Sequence, residues 1–366
     1  MTTQETPSLE RAELTLRHHC PLVICGQTVR RGEKLATANR PGAGDIHTPV
    51  AGKVTHVDAY RIRVDAEGDE TVDPVDLSEL SGNALYAKLL ELGVDLPPAE
   101  SVDTLIINGV DAEQGILTRL NLPASSPEPL GYGLGTIHAL YKPRLMTLAV
   151  SKGTSLPDFD VQITEIDNQY PAGLDPMVAL TVTGIEAPDH TAVIGLETVY
   201  HLGRVMQTGL PVMETPVTVN DKLRIVPLGM PVAQVLVEAG ITPGDGDRIV
   251  LGGFLRGEAA ALPSQGVDRS AVAVTLIKNP TPVAEDMACV GCGECVRRCP
   301  ARLDPSMITS YAEFGQYDMA AKAHVEVCFE CGLCGFFCLA HRPMLQYIRL
   351  AKNELALARS RQEVAR

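Results

Sequence analysis

The 366-residue sequence contains no tryptophan and only six phenylalanines. Proteins that bind single-stranded nucleic acids stack bases on aromatic side chains, so this scarcity argues against such a role. Positive charge is also short, with 31 Lys and Arg against 45 Asp and Glu and a formal net charge of −14. A surface of this sign repels phosphate backbones, so the sequence predicts no nucleic-acid partner.

Long apolar runs and a leader are missing as well. No run approaches the ~18 to 20 apolar residues that cross a bilayer, and "AVAVTLI" at 271–277 is typical of the longest. The first residues, "MTTQETPSLE", show no basic segment followed by an apolar stretch, so we expect no signal peptide. We therefore expect a soluble or peripheral protein in a reducing compartment, where clustered cysteines bind metal rather than form disulfides.

The length predicts a multidomain α+β protein, because single domains cluster near ~100 to 150 residues. Short strand patterns separated by Gly and Pro turns fill 22–57. Within them, "GQTVRRGEKL" and "HTPVAGKV" resemble the barrel-sandwich fold of biotinyl and lipoyl carrier domains. The loop that would present a modified lysine reads "RPGAGD", so we expect a structural domain rather than a swinging arm.

The rest of the chain alternates strand and helix patterns. "DTLIING" (103–109) and "LMTLAVSKG" (145–153) predict buried strands, and 192–209 predicts one amphipathic helix that ends at a glycine. We predict four domains: a barrel-sandwich-like domain (1–78), an α/β layer domain (79–209), a β-grasp module (210–280) and, from the cysteine runs described next, a helical ferredoxin domain with a basic tail (281–366). Residues 280–288 are interpreted as the linker into the last domain.

Eight of the ten cysteines form two similar runs, "CVGCGECVRRCP" (289–300) and "CFECGLCGFFC" (328–338). Three closely spaced cysteines followed by a fourth suit a [4Fe-4S] cluster, whereas zinc usually takes paired C-x2-C knuckles separated by a longer loop. In two-cluster ferredoxins the fourth cysteine of each run binds the other cluster. We therefore predict two ligand sets: Cys289, Cys292, Cys295 with Cys338, and Cys328, Cys331, Cys334 with Cys299.

Helices are predicted around these runs. Asp304 can cap a helix on which Met307, Tyr311 and Phe314 recur at helical spacing, and Gly315 ends it. Bacterial-type ferredoxins have β-hairpins at this place, so helices indicate the helical ferredoxin fold. The tail repeats apolar residues on one seam flanked by arginines, which predicts a helix that packs either on its own domain or on a partner subunit or anionic membrane surface. The seam comprises Met344, Ile348, Ala351, Leu355 and Ala358.

Two weaker patterns have simpler structural interpretations. "GYGLGT" at 131–136 is rich in glycine but lacks the dinucleotide fingerprint, so a phosphate-binding role is a minor alternative. A second metal site is the minor alternative for a group near the N-terminus, since mid-strand cysteines are usually buried small hydrophobes. This group comprises His18, His19, Cys20 and Cys25.

The order of modules resembles the C subunit of the Rnf-type ion-translocating electron transport complex, a family similar to flavin-bearing subunits of complex I. The likeness spans roughly 20–352, through "GQTVRRGEKLA", "DTLIINGVDAE", "LGGFLRG", both cysteine runs and "HRPMLQYIRLAK". The resemblance implies a peripheral subunit on the cytoplasmic side of the inner membrane. In that family, electrons pass from a nicotinamide through FMN to two clusters and on to partner subunits.

The resemblance implies that 79–209 is a degenerate flavin- and nucleotide-binding fold, because the flavin elements of the family are incomplete in this chain. Its Gly-rich loop should precede "DTLIING" by about twenty residues, but that place reads "LSGNALYAKLLEL", with Gly82 alone. Several glycines are needed for backbone N–H groups to converge on a phosphate. The family's acidic element survives as "GVDAEQ", which keeps Asp111 and Glu113 as the residual cofactor-binding residues. We therefore expect two [4Fe-4S] clusters and little FMN.

Three functional classes fit these patterns. The first is an electron-transfer subunit of a membrane-associated, ion-translocating oxidoreductase, partnered by other subunits and by a ferredoxin-like or other redox protein. The alternative is a soluble flavin- and NADH-dependent reductase of the same ancestry, such as those that reduce a cobalamin cofactor. The third is a protein whose clusters are only structural or redox-sensing. The sparse Gly-rich loop favours the first.

Overall fold

The computed structural model describes residues 9–98, 102–280 and 287–364. The chain is a mixed α/β multidomain protein that divides into two compact units. The first comprises Met1–Gly253 and Glu258–Asn279, and the second comprises Phe254–Gly257 and Pro280–Arg366. The four predicted domain bounds are finer than this division and stay predictions. Most of the predicted linker at 280–288 lies outside the described residues.

The first unit begins with seven short strands in two sheets. Six of their seven sequences contain β-branched residues, and most are separated by segments with Gly or Pro, which favours short strands. A four-stranded sheet has the order β1-β7-β6-β3, and a three-stranded sheet has the order β2-β4-β5. The strands are β1 (Arg11–Thr15), β2 (His19–Pro21), β3 (Thr28–Val29), β4 (Lys34–Ala38), β5 (Ile46–His47), β6 (Gly52–Val57) and β7 (Arg61–Ala66).

The "RPGAGD" loop of this region is fixed in place. A Cβ atom at Gly42 would clash with the Leu96 carbonyl, and one at Gly44 would clash with the backbone of Gly93. The Gly44 amide donates to Asp95 Oδ1 at 2.8 Å. The loop is therefore held against the segment that precedes the next sheet, as expected for a structural domain.

A parallel sheet follows, with the order β10-β9-β8-β11. "TLIING" is buried almost throughout, as expected for a central parallel strand covered on both faces. Its side chains share one hydrophobic core with the strands of the preceding module, for example Leu105 with Leu35 and Val64. The elements are α1 (Gly82–Glu91), β8 (Thr104–Gly109), α2 (Thr118–Ser125), α3 (Pro127–Tyr141), β9 (Leu145–Ser151), β10 (Gln162–Ile166), α4 (Asp175–Thr183), β11 (Thr191–Gly195) and α5 (Leu196–Thr208).

The helix predicted over 192–209 was wrong in its first part. Thr191–Gly195 is a strand that pairs in parallel with β8, and the helix begins only at Leu196. The strand contains adjacent β-branched residues, Val193 and Ile194, which fit a pleated surface better than a helix. The predicted end was right, because Gly209 caps α5 in the left-handed conformation.

The last part of the first unit is a mixed five-stranded sheet with the order β13-β12-β16-β14-β15. The turn predicted at "NDK" joins its first two strands, with Asn220 and Asp221 in left-handed conformations. The predicted helix in "MPVAQVLVEAGI" covers Val232–Glu238. The elements are β12 (Glu214–Val219), β13 (Lys222–Pro227), α6 (Val232–Glu238), β14 (Arg248–Leu251), β15 (Glu258–Ala259) and β16 (Ala273–Ile277).

Arg269, in the loop before β16, joins this sheet to the other parts of the first unit. Its Nη1 donates to the carbonyls of Asp45 at 2.8 Å and of Gly93, and its Nη2 donates to the Gly44 carbonyl at 2.7 Å. Nη2 also lies 3.3 Å from Asp95 Oδ1. One guanidinium thus satisfies backbone acceptors from two other modules.

The second unit is helical in all the regular elements of its described residues. Asp304 caps α8 as predicted, because its Oδ1 accepts from the Met307 amide at 3.0 Å. Met307 and Phe314 face solvent, since Ile308 and Ala312 form the buried side of this helix. The helices are α7 (Glu294–Arg297), α8 (Pro305–Glu313), α9 (Tyr317–Lys322), α10 (Leu333–Phe336) and α11 (Met344–Val364), with a 3-10 turn at Val325–Val327.

The tail helix α11 packs on its own unit. Four members of the predicted seam are buried, namely Met344, Ile348, Ala351 and Leu355, whereas Ala358 is exposed. Several tail cations also contact carboxylates of this unit: Arg342 contacts Glu313, Arg349 and Lys352 contact Glu330, and Arg359 contacts Glu326. No helix among the described residues is long and apolar enough to cross a membrane.

Replacing Arg269 with methionine should destabilise the first unit by about 3 kcal/mol, because several buried carbonyls would lose their donor at once. The matched control is Arg11→Met. Arg11 also pairs through two nitrogens with one carboxylate, Asp65, but its side chain is 52% exposed, so its loss should cost at most about 1 kcal/mol. Chemical denaturation of the full chain, followed by circular dichroism, measures both. Equal effects of the two variants would contradict the joining role of Arg269.

Candidate metal centre

The two cysteine runs build the same local structure. In each, a glycine in the left-handed conformation, Gly293 or Gly332, precedes a four-residue helix that carries the third cysteine. A β-carbon is disfavoured at such a position, which explains why both runs have glycine there. The third cysteines are buried, with Cys295 9% and Cys334 6% exposed. The runs are therefore structural repeats as well as sequence repeats.

Backbone amides point at several of the cysteine sulfurs. The Gly291 amide donates to Cys289 Sγ at 3.5 Å, and the Glu330 amide donates to Cys328 Sγ at 3.4 Å from the equivalent position of the second run. Donors of this kind stabilise negative charge on thiolates and influence the reduction potential of a bound cluster. The loops are thus arranged to hold anionic sulfur.

The last cysteine of the first run acts on the second run electrostatically. Burial, together with the charges of Cys328, Cys331 and Cys299, raises the pKa of the Cys334 thiol to about 12. Burial also raises the pKa values of Cys328 and Cys331, and in both cases Cys299 contributes as a nearby negative charge. The last cysteine of the first run therefore lies near the first three of the second. Thiolates that raise one another's pKa in this way repel each other unless a cation binds, so this donor set fits a metal cluster.

The first run lies close to the end of the second. The Met287 amide donates to the Ala340 carbonyl at 3.3 Å, which brings the residue two before Cys289 beside the residue two after Cys338. Burial raises the pKa of Cys295, and Cys289 is among the nearby charges that raise it further. Helices α7 and α10 also pack against each other. The two runs thus form one compact centre.

The second run is covered by other parts of its unit, and Glu330 is central to this cover. Its carboxylate lies 2.9 Å from Arg349 Nε and 2.8 Å from Lys352 Nζ, and Lys352 also donates to the Cys328 carbonyl. Burial alone would raise the pKa of Glu330, but the hydrogen bonds from Lys352 and Arg349 lower it. The Glu330 carbonyl accepts from Arg256 Nε at 3.1 Å. These contacts hold the backbone of Glu330 in the left-handed conformation, with φ 57°. The equivalent residue of the first run is a glycine, Gly291.

Two other sequence candidates are not supported. "GYGLGT" lies inside α3, where Gly133 packs against the backbone of Val199, so it forms no phosphate-binding loop. The interpretation of Cys20 and Cys25 as buried small hydrophobes was wrong, because both are exposed. Within 9–98, 102–280 and 287–364, no three His, Cys, Asp or Glu side chains lie close enough to hold a single metal ion.

The predicted residual flavin residues, Asp111 and Glu113, line a cavity of about 440 Å³ in the first unit. It lies where β8, β9 and β10 end, the edge at which parallel sheets usually bind ligands. Lys152 and Asp167 also line it and pair with each other at 2.6 Å. Three of the lining side chains are carboxylates and one is cationic. Residues 80–92, the place of the family's Gly-rich loop, form α1 and do not line the cavity.

Both acidic residues have structural contacts. Asp111 accepts from the Arg119 and Leu120 amides, each at 2.9 Å, and so caps the start of α2. Burial raises the pKa of Asp111 to about 6, against the effect of these two amides. Glu113 is buried, and its carboxylate occupies the space that a Cβ at Gly253 would need. The "GVDAEQ" and "LGGFLRG" elements therefore meet in the fold.

The comparison with protein families agrees with the centre described above. Residues 281–339 match the family described as a 4Fe-4S dicluster domain. The second unit thus carries a domain of the class that holds two iron-sulfur clusters.

Relatives of the whole chain are C subunits of ion-translocating oxidoreductase complexes. The chain is 24% identical to the C subunit of the ion-translocating oxidoreductase complex of Rhodobacter capsulatus, over 98% of this chain and 80% of that protein. It is 23% identical to the C subunit of the Na(+)-translocating ferredoxin:NAD(+) oxidoreductase complex of Acetobacterium woodii, over 93% and 88%. Against the corresponding C subunit of Pectobacterium carotovorum it is 26% identical over 91% of this chain and 52% of that longer protein. The resemblance to the Rnf-type C subunit is therefore confirmed.

Among solved structures, an NAD+-reducing [NiFe]-hydrogenase in the H2-reduced state aligns with a TM-score of 0.40 and 14% identity. The alignment covers 72% of this chain and 60% of that one. A similarity of this level carries no conclusion about cofactors.

Proposed function

We propose that this chain is the iron-sulfur electron-transfer subunit of a membrane-associated, ion-translocating oxidoreductase complex of the Rnf type. The observation that carries the proposal is the pair of four-cysteine groups in the second unit, within a region that matches a 4Fe-4S dicluster domain. The relatives named above are subunits of such complexes, which supports other subunits as partners. We place the protein at the cytoplasmic side of the inner membrane, as a peripheral subunit.

The cysteines of the two runs would hold the clusters. When bound, [4Fe-4S] clusters accept and release single electrons. The chain supplies the thiolates, the amide donors to sulfur, and the network around Glu330 that fixes the second loop.

We propose crossed ligation between the runs. The first set is Cys289, Cys292, Cys295 and Cys338, and the second is Cys328, Cys331, Cys334 and Cys299. Two observations support this assignment: the charge of Cys299 acts on Cys328, Cys331 and Cys334, and the Met287 amide hydrogen-bonds to the Ala340 carbonyl beside the end of the second run. Crossing would clamp the two runs together through both clusters, so that metal binding also stabilises the fold.

We propose that FMN does not bind tightly to this chain. The cavity that Asp111 and Glu113 line has an excess of carboxylates, and its one lysine, Lys152, is already paired with Asp167. A flavin phosphate is dianionic and would be repelled there. At the place of the family's Gly-rich loop, α1 buries Leu85 and Leu89 in the core, so few backbone amides are free to converge on an anion. Electrons would then come from a ferredoxin-like or other redox protein.

The alternative function is a soluble flavin- and NADH-dependent reductase of the same ancestry. The cavity at the end of the parallel sheet is the observation that favours it, because such a reductase needs a flavin site at this edge. The acidic lining weighs against it.

The cofactor content tests the proposed function directly. Purified without air, the full chain should contain about eight irons and about eight acid-labile sulfides, because each four-cysteine group suits one [4Fe-4S] cluster. Dithionite should bleach the visible absorption and produce EPR signals. Stoichiometric zinc, or iron that cannot be reduced reversibly, would show that the cysteines serve only the fold.

If ligation is crossed, the Cys299→Ser variant should behave like a variant of the second run. After reduction, the EPR spectra of Cys299→Ser and Cys331→Ser should lose the same signal, because each substitution would remove a ligand from the same cluster. Cys292→Ser should affect the other signal, and Cys25→Ser, outside both runs, should leave the spectrum unchanged. If the Cys299→Ser spectrum instead matches that of Cys292→Ser, each run binds its own cluster.

Flavin binding separates the two candidate functions. We expect the anaerobic protein with its clusters to bind FMN weakly, and NADH to leave the cluster absorption unchanged, because the cavity repels a phosphate. Isothermal titration with FMN, followed by NADH under a spectrophotometer, measures both. Tight one-to-one binding followed by bleaching would establish the reductase and refute the flavin-free electron carrier.

A further inference from the structure

Exposed apolar side chains are concentrated in the second unit. Among the described residues, 21 large apolar side chains are exposed, and twelve of them belong to this unit, although it holds only about a quarter of the chain. Exposed apolar residues that cluster in this way mark contact surfaces. Five of them flank the cysteines proposed for the first cluster. We call them the rim patch: Met287, Val290, Val296, Phe336 and Leu339, which are 42% to 68% exposed.

The rim patch is linked by contacts across the two runs. Met287 hydrogen-bonds to Ala340, which follows Leu339 in the chain. Val296 lies on α7 and Phe336 on α10, and these two helices pack together. The five side chains therefore lie around the cysteines proposed for the first cluster rather than being scattered over the unit.

The two runs differ in their access to solvent. Residues 287–291 of the first run are all exposed. In the second run, the loop around Cys328 is covered by Lys352 of α11, and a Cβ at Gly332 would lie 2.5 Å from the Leu255 carbonyl. A protein that exchanges electrons with this unit therefore meets the first run, where no other part of the described unit intervenes.

The charges at the rim indicate what kind of protein fits. Arg297 and Arg298 occupy the positions that Phe336 and Phe337 hold in the second run, and their side chains are 62% and 53% exposed. Both contact the same carboxylate, Glu294, so one positive charge remains. Arg298 lies over the Phe337 ring, with its guanidinium carbon 4.4 Å from the ring centroid. A cationic rim beside apolar side chains complements a partner that presents carboxylates around an apolar contact.

We propose that the rim patch, together with Arg297 and Arg298, is the docking surface for an acidic electron-transfer protein. The proposal rests on the proposed function, since an electron carrier is expected to dock where a cluster is nearest to solvent. It goes further by naming the face, the first run as the point of exchange, and the charge of the partner.

Binding of a small acidic two-cluster ferredoxin tests this surface. The double variant Phe336→Ser, Leu339→Ser should weaken binding about tenfold or more, because central apolar contacts carry most of the binding energy. Arg298→Gln should weaken it about threefold and reduce its dependence on salt. Phe314→Ser is the matched control: its ring is 72% exposed in the same unit but is not beside a cysteine, and it should bind within about twofold of the unchanged protein. Biolayer interferometry of the full chain at two salt concentrations measures all four.

Iron content and dithionite reduction of each variant are measured in parallel. If the clusters are intact but the rim variants bind like Phe314→Ser, or the unchanged chain does not bind the ferredoxin, the docking proposal fails while the proposed function stands. If iron is absent from the unchanged protein, the proposed function itself fails. Binding to vesicles of phosphatidylcholine and phosphatidylglycerol that the rim variants abolish, with ferredoxin binding unaffected, would show that this face meets a membrane instead.

Discussion

The first unit depends on one guanidinium. Arg269 reaches from the last sheet to carbonyl groups of the "RPGAGD" loop and of the segment after α1. Backbone carbonyls that are buried away from water must find donors, and a planar group with several N–H donors supplies them to two chain segments at once. Arg269 thereby holds together three regions that are distant in the sequence. Leu35, Leu89 and Leu105 belong to one continuous hydrophobic core of the same unit.

Local patterns predicted much of this fold. "TLIING", the "NDK" turn and the Asp304 cap were confirmed because the signal for each lies within a few residues: a short apolar run, two residues that adopt left-handed turn conformations and one capping carboxylate. The start of α5 was misplaced because the largely apolar segment Thr191–Gly195 is compatible with a helix and with a strand. Only its pairing with β8 makes it a strand. Met307 and Phe314 have helical spacing but are exposed to solvent, because α8 packs on the unit through a different face.

The candidate metal centre was also predictable from the sequence only in part. The cysteine spacing is local, so the sequence alone predicted the class of cofactor, and the family match supports iron-sulfur clusters. The unequal cover of the two runs was not predictable, because it depends on Arg256, Arg349 and Lys352, which reach Glu330 from distant parts of the chain. A glutamate in a left-handed conformation is a signal of such support, since that backbone is unfavourable without it. The sequence shows that Arg297 and Arg298 of the first run correspond to Phe336 and Phe337 of the second. The consequence of this difference for partner binding depends on which run is exposed.

The fixed "RPGAGD" loop also bears on how this architecture can be re-engineered. In carrier domains, the corresponding loop travels with its prosthetic group between distant sites. Here Gly42 and Gly44 press the loop against Leu96 and Gly93, and Asp95 holds the Gly44 amide. A lysine grafted into this loop would acquire the attachment chemistry of a carrier without its mobility. Use of this loop as a shuttle would require its release from Leu96, Gly93 and Asp95, so carrier-like mobility and these contacts exclude each other.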